Sequence, residues 1–375
     1  MVRFSNIPSL ASAKTQLLSL SSLNRVPNSL LFTGADGGAS FYLALQLAQH
    51  MVCEKPKADG PCNNCTTCKQ FSTFNYPDLH LSFPFNKTGT SGNESNCLAL
   101  RSQLANELMK NPFITHERWL GVLNMANKQA AISVGEAKSI THVLSLKSFS
   151  SKPRVVILWQ PELLNQSAAN KLLKLIEEPG DNVHFFLISH RPEAVLKTIL
   201  SRCIAFKVPP LTDEDIFTHL TSTQANQSHL ASVVLRSNGS LGVAYDALNN
   251  LEDSEKTYAN LVLWLRAIYT NRPSALIFAC DTLSSMYRED LKVFLDYTSS
   301  IFRQSLLYNN HTGNGETFKH ADFSLERFAP FIATNKSAEI LAIIEDCRRD
   351  ISRNANAKTT LLDASLQLTK YIGKA

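Results

Sequence analysis

At 375 residues the chain is too long for one average domain, and two or three domains are its natural division. With 44% hydrophobic and 18% charged residues it can bury sizeable cores and is expected to be globular. The net charge of +5 is a mild excess, compatible with a nucleic-acid neighbour without demanding one, and no apolar run approaches the roughly 18 residues that would cross a bilayer.

The opening stretch, MVRFSNIPSLASAKTQLLSL, alternates small, polar and apolar residues and lacks the unbroken apolar segment of a secretory signal. A cytoplasmic protein is the expectation. The first strand-like run is LLFT (30–33), followed by GADGGASF (34–41) and a helix-like YLALQLAQHMV, with a helix expected over 43–52. A glycine loop between a strand and a helix is where phosphate would be cradled. A working loop of that kind reads G-x-x-x-x-G-K-[ST], the lysine reaching the phosphates and the hydroxyl holding Mg²⁺. Here Gly34 opens the frame and Gly37 and Gly38 lie inside it, but Ala39 stands at the second glycine, Ser40 at the lysine and Phe41 at the hydroxyl residue. Backbone N–H groups at a helix N-terminus still favour phosphate. Without the cation, and with added bulk at the metal position, no tight ATP binding is expected.

Four of the eight cysteines, Cys53, Cys62, Cys65 and Cys68, fall in the pattern C-x8-C-x2-C-x2-C. Clustered cysteines in a cytosolic chain are more often metal ligands than disulfides. Two adjacent C-x2-C steps, with Pro61 and Asn63-Asn64 supplying turns, can aim thiolates at one tetrahedral zinc about 2.3 Å away. Four cysteines close the coordination shell, so the zinc would be structural; the alternative is a set of buried or redox-active thiols without metal. His80 lies nearby and reads as a packed or surface residue. The remaining cysteines, Cys97, Cys203, Cys280 and Cys347, read as small core residues or free thiols.

Next come LHLSF (79–83), a polar and less regular stretch over 86–131 with a surface loop at NKTGTSGNESN and a helix-like ALRSQLANELMK, and the apolar strand RVVILW (154–159). In active ATPases of this build such a strand ends in Asp-Glu, which hold magnesium and activate water. This one ends in Trp159 and Gln160, then Pro161, with Glu162 too late for that role. The helix 163–177 carries Leu164, Ala168, Leu172, Leu175 and Ile176 on one face, and the strand HFFLIS (184–189) follows. Strands alternating with helices imply a parallel sheet covered on both faces. Arg202, in ILSRC (199–203), is by default a surface residue; in a chain with a dead site it could serve a neighbour's triphosphate, because its planar fork suits phosphate.

Pro209-Pro210 breaks the pattern; Thr212 caps a helix at DEDIFTHL, and a short helical unit ends near Leu248. From about 252 no convincing strand is read. KTYANLVLWLRAIYTN places Tyr258, Leu261, Val262, Leu265 and Ile268 on one face, and the last third is expected to be an all-helical bundle. The expected division is an α/β domain over 1–210 with the zinc module at about 53–68, a helical lid over 211–250 and a helical oligomerisation domain over 251–375.

The succession GADGGASF, the cysteine cluster, YPDLHL (76–81), AANKLLKLIEEPG (168–180), TILSRC (198–203) and CRRDISRNANAKTTLLDASLQL (347–368) resembles the bacterial clamp-loader subunits of DNA polymerase III, which are AAA+ proteins. The resemblance covers nearly the whole chain, and AANKLLKLIEEP and ILSRC are its most specific parts. Of the two subunit types, the motor type (gamma/tau) keeps an intact loop and the Asp-Glu pair, whereas delta prime often has both degraded; the sequence resembles delta prime. That implies an AAA+ fold with a helical lid and collar, and a hetero-pentameric ring of three motors, one delta and one delta prime. It also implies a role in loading the sliding clamp at primer-template DNA during replication. In such a ring the SRC arginine completes the ATP site of the adjacent motor, a role carried to Arg202, with Ser201 and Cys203 shaping the turn. Ser189 stands where the family places a sensor of the γ-phosphate. In NGSLGVAYDAL (238–248), Gly242 and Val243 stand where motor subunits often carry an arginine. A motor-type ATPase using unusual residues is the alternative and would hydrolyse ATP alone. A third reading, a zinc-dependent nucleic-acid binder outside any ring, would bind DNA tightly with strong salt dependence, and the modest charge argues against it.

Overall fold

The computed structural model describes residues 10–86, 97–125, 130–223, 230–249, 251–309, 319–320, 323–324, 328–332 and 336–372. The start of the N-terminal stretch and most of the expected surface loop, 87–96, lie outside the described residues. The chain forms two compact units, Met1–His219 with Gly239–Val243, and Leu220–Asn238 with Ala244–Ala375.

The first unit is built on five parallel strands: β1 (Ser29–Thr33), β2 (Leu79–Ser82), β3 (Arg154–Trp159), β4 (Val183–Ser189) and β5 (Ile204–Lys207), in the order β2-β3-β4-β1-β5. α1 (Ala11–Ser22) precedes β1; parallel strands need long crossovers, and helices fill them: α2 (Ser40–Val52), α3 (Thr66–Ser72), α4 (Arg101–Lys110), α5 (His116–Val122), α6 (Val134–Ser145), α7 (Gln166–Glu177) and α8 (Lys197–Leu200). Every residue of β3 is buried, as a strand covered on both faces requires. α7 lays Ala168, Ala169, Leu172 and Ile176 into the core with Val156, Leu158, Phe185 and Leu187, so most of the expected face is the buried one. Its N-cap, Asn165, accepts from Ala168 N, and buried Ser29 Oγ donates to Ile176 O at 2.6 Å, tying the end of α7 to β1.

Two buried charge clusters stitch the crossovers. Arg154 donates to the carbonyls of Val143, Leu144 and Leu146 at the end of α6, and its Nε lies 3.4 Å from Asp78 Oδ1. Glu136, fully buried, accepts from Cys97 N at 2.7 Å and lies 3.2 Å from His80 Nε2. His80 is thus a packed residue.

In the second unit, α10 (Leu230–Ser237), α12 (Leu251–Thr270), α13 (Pro273–Ser284), α14 (Arg288–Asn309), α15 (Ser337–Ser352) and α16 (Ala357–Leu368) carry the fold; α9 (Asp213–Thr223) and α11 (Leu241–Asn249) have residues in both units. Leu261, Leu265 and Ile268 enter the bundle core as their spacing foretells, but so does Trp264, whose indole N–H donates to buried Ser365 Oγ at 2.8 Å. Thr212 caps α9 as expected, accepting from Asp215 N. The last third is helical as expected, with a two-residue antiparallel pair beside the helices, β6 (Lys319–His320) with β7 (Phe323–Ser324). It is too short to show a two-residue alternation in the sequence. No helix among the described residues is long and apolar enough to cross a membrane.

Candidate functional site

The degenerate loop, 34–39, turns from β1 into α2. Gly34 N donates to Ser189 O at the end of β4, and a Cβ at Gly34 would stand 2.5 Å from Ser40 Oγ. Gly37 has a φ of +64°, the left-handed region that favours glycine. A Cβ there would also meet Thr115 Cγ2 at 2.6 Å and Gly242 Cα at 3.0 Å. The glycines therefore serve close backbone approach, and what approaches is the protein itself. Gly242 N donates to Gly37 O at 2.9 Å, Ser240 Oγ donates to Asp36 O at 2.7 Å, and a side chain on Gly242 would collide with Phe113 O at 2.1 Å. An arginine at that position has no room.

The inside of the loop carries a negative charge of its own. Both Asp36 carboxylate oxygens accept from His116 N, at 3.1 and 2.9 Å, and Asp36 Oδ1 lies 3.2 Å from His190 Nε2. That nitrogen also receives the Trp159 indole N–H at 2.9 Å. Indole only donates, so this bond needs Nε2 without hydrogen. Burial holds His116 below the usual imidazole range.

Two rings meet where the start of α2 faces the end of β3. Phe41 and Trp159, both buried, meet edge to face with centroids 5.5 Å apart. Tyr42 stacks on Phe113 at 5.6 Å, holding the covering segment against α2. Gln160 is buried in a left-handed conformation, φ 58°, at the end of β3. Glu162 spends Oε1 on His190 N, and Ser189 Oγ accepts from Arg191 N. Sequence reading singled out Ala39, Ser40, Phe41, Trp159 and Gln160 in this region. It missed Asp36, Phe113, His116 and His190, whose partners are remote in sequence.

The cysteine knuckle hangs on the end of α2, where Gln49 donates to Asn63 Oδ1 and Cys68 O. The Sγ atoms of Cys53, Cys62, Cys65 and Cys68 lie within 4.8 Å of one another, with Cys62 and Cys68 at 3.9 Å. Four thiolates around zinc at about 2.3 Å would be roughly 3.8 Å apart, so the residues fit that metal. Backbone N–H groups of Cys62, Cys65 and Cys68 point at the sulfurs of Cys53, Cys62 and Cys65. The N–H groups of Asn64 and Cys65 pull the Cys62 thiol down to about 6, whereas burial pushes Cys53 and Cys68 up.

Arg202 lies between α8 and β5, the edge strand, whose first residue Ile204 is 60% exposed. Its Nε donates to Glu177 at 2.8 Å and its Nη1 to Thr198 O at 2.9 Å. Ser201 Oγ also donates to Thr198 O, and burial pushes the Cys203 thiol up to about 11. The two hydrogen bonds to Thr198 O hold Ser201 and Arg202 against α8.

A sequence family described as “DNA polymerase III, delta subunit” matches residues 10–212, more than half of the chain. The chain belongs to this DNA polymerase III delta family. Among its relatives, the DNA polymerase III subunit delta' of Bacillus subtilis (strain 168) is 24% identical over 341 residues, covering 89% of this chain and 88% of the relative. The subunit delta' of Escherichia coli (strain K12) is 24% identical over 218 residues, 58% of this chain and 53% of the relative. A subunit gamma from Buchnera aphidicola subsp. Acyrthosiphon pisum is 24% identical over 237 residues, 62% of this chain and 53% of the relative. This member of the delta family therefore aligns over most of its length with a delta' chain and over a shorter share with a gamma chain.

Proposed function

We propose that this protein is a delta-prime subunit of a bacterial DNA polymerase III clamp loader, working in the cytoplasm. It binds no ATP tightly, hydrolyses none itself and lends Arg202 to the ATP site of a neighbouring motor subunit. The supporting observation is the state of its own phosphate loop. The covering segments at 113–116 and 240–242 use the loop's groups, Asp36 brings a carboxylate to where phosphate would need cations, and Phe41 with Trp159 fills the metal position. A triphosphate would have to displace both segments and lie beside that carboxylate.

In this reading the partners are gamma/tau motors and a delta subunit in a hetero-pentamer, with the sliding clamp and primer-template DNA reached through the assembly. The chain's own chemistry is to hold a guanidinium at an exposed edge, where it would stabilise the charge that develops on the γ-phosphate in transfer. Zinc in the knuckle would have a structural role: four sulfur ligands leave no position for water. The division into an α/β domain, a lid over 211–250 and a collar over 251–375 belongs to the same reading.

The test is phosphate release by the purified chain with ATP and Mg²⁺. No multiple turnover is expected; sustained release that survives changes removing contaminating ATPases would favour the motor-type alternative.

A further inference from the structure

We propose that Glu177 is a positioning residue for Arg202, holding its guanidinium ready for a phosphate that the neighbouring subunit brings. This rests on the reading of Arg202 as a residue acting in trans.

Glu177 is the last residue of α7, in the segment LIEEP, and its place there does nothing for the helix. The C-terminal end of a helix carries the negative pole of the backbone dipole, where a carboxylate is unfavourable and a lysine would be preferred. The side chain is half exposed, at 52%, so burial does not explain it either. Its side-chain partner among the described residues is Arg202, 25 residues further along, whose Nε donates to Glu177 Oε2 at 2.8 Å.

The effect on Arg202 is specific. An arginine side chain in solvent samples many rotamers, and one rotamer is needed to meet a phosphate. Glu177 ties Nε, and the Thr198 carbonyl, in α8, ties Nη1. Two bonds on two nitrogens of a planar group fix both its position and its plane. Nη2 has no hydrogen-bond partner among the described residues and is left for a ligand oxygen. The arginine side chain remains 31% exposed. An exposed ion pair is weak, so an arriving phosphate is not held off by the carboxylate. The same weakness limits what Glu177 can contribute to about two- to fivefold in rate.

The experiment uses the whole ring, reconstituted with motor and delta subunits, and follows ATP hydrolysis in the presence of clamp and primed DNA. Glu177→Ala is expected to lower the part of kcat that Arg202→Ala removes about two- to fivefold, with KM for ATP unchanged, because the guanidinium acts in the transition state. Glu177→Gln, whose carbonyl oxygen still accepts from Nε, is expected to keep most of the rate. In an Arg202→Ala ring, Glu177→Ala should have no further effect. An unchanged kcat for Glu177→Ala in a ring that Arg202→Ala does slow would overturn the positioning role and leave the trans reading standing. Equal losses in both backgrounds would also overturn it, marking damage to α7 instead. A ring indifferent to Arg202→Ala would remove the reading on which the inference rests.

Discussion

Gly242 donates its backbone N–H to the carbonyl of Gly37 at 2.9 Å, so the segment over the phosphate loop touches it with no side chain between. The contact explains why both residues are glycine. Gly242→Ala would place a Cβ 2.1 Å from Phe113 O, a backbone atom that cannot swing aside. The substitution is expected to cost about 2–3 kcal/mol in a denaturant titration, through overpacking. Gly37→Ala should cost a similar amount, because strain at φ +64° adds to the collision with Thr115.

The same contact bears on attempts to rebuild the site. Ser40→Lys with Phe41→Thr restores the loop's missing side chains but leaves Asp36, the covering segments and Trp159 in place. The pair is expected to bring no ATP binding detectable by isothermal titration with Mg²⁺. Phe41→Ala alone removes a buried ring from Trp159 and should cost about 3–5 kcal/mol.

For the knuckle, elemental analysis of the purified chain is expected to find zinc bound at one site per chain. Cys62→Ser or Cys65→Ser should lose it. Because metal binding at such sites is folding free energy, the melting midpoint is expected to fall by about 5 °C or more, and a chelator should shift the wild type the same way. An unchanged midpoint with no bound metal would leave the cluster as packed thiols.

The buried Glu136 gives a pH dependence with a definite sign. Burial pushes its carboxyl up, but the hydrogen bond and charge of His80 and the N–H of Cys97 outweigh that and hold it below the usual range. A carboxylate depressed in the folded state contributes stability in full above its unfolded value of about 4.3, and the contribution is lost as pH falls through the folded value. Wild-type stability should therefore drop on acidification below about pH 4.3 more steeply than that of Glu136→Gln. At pH 7 the substitution, which leaves His80 without its buried partner, is expected to cost about 3 kcal/mol.

Much of this was legible before any coordinates. Four of the five strands announce themselves as apolar runs, and the buried face of α7 follows from the spacing of Ala168, Leu172 and Ile176. β5 does not, because IAFK is an edge strand with mostly exposed residues and so has no apolar run. The cysteine cluster was visible because its members are close in sequence. The closure of the phosphate loop was not: Asp36 meets His116 across 80 positions, and Ser240 meets Asp36 across 204. A pattern of residues can reveal that a lysine is missing, but not what has moved into its space. Arg202 stands out through its motif, whereas its partner Glu177 sits in a motif that reads only as a helix end.

The most direct measurement is steady-state ATP hydrolysis by the assembled ring, comparing wild type with Arg202→Ala. If Arg202 completes one motor site, the rate should fall by at least that site's share, and further if the motors fire together, while ring assembly by gel filtration is unchanged. An Arg202→Ala ring that hydrolyses ATP and loads clamps at the wild-type rate would contradict the account.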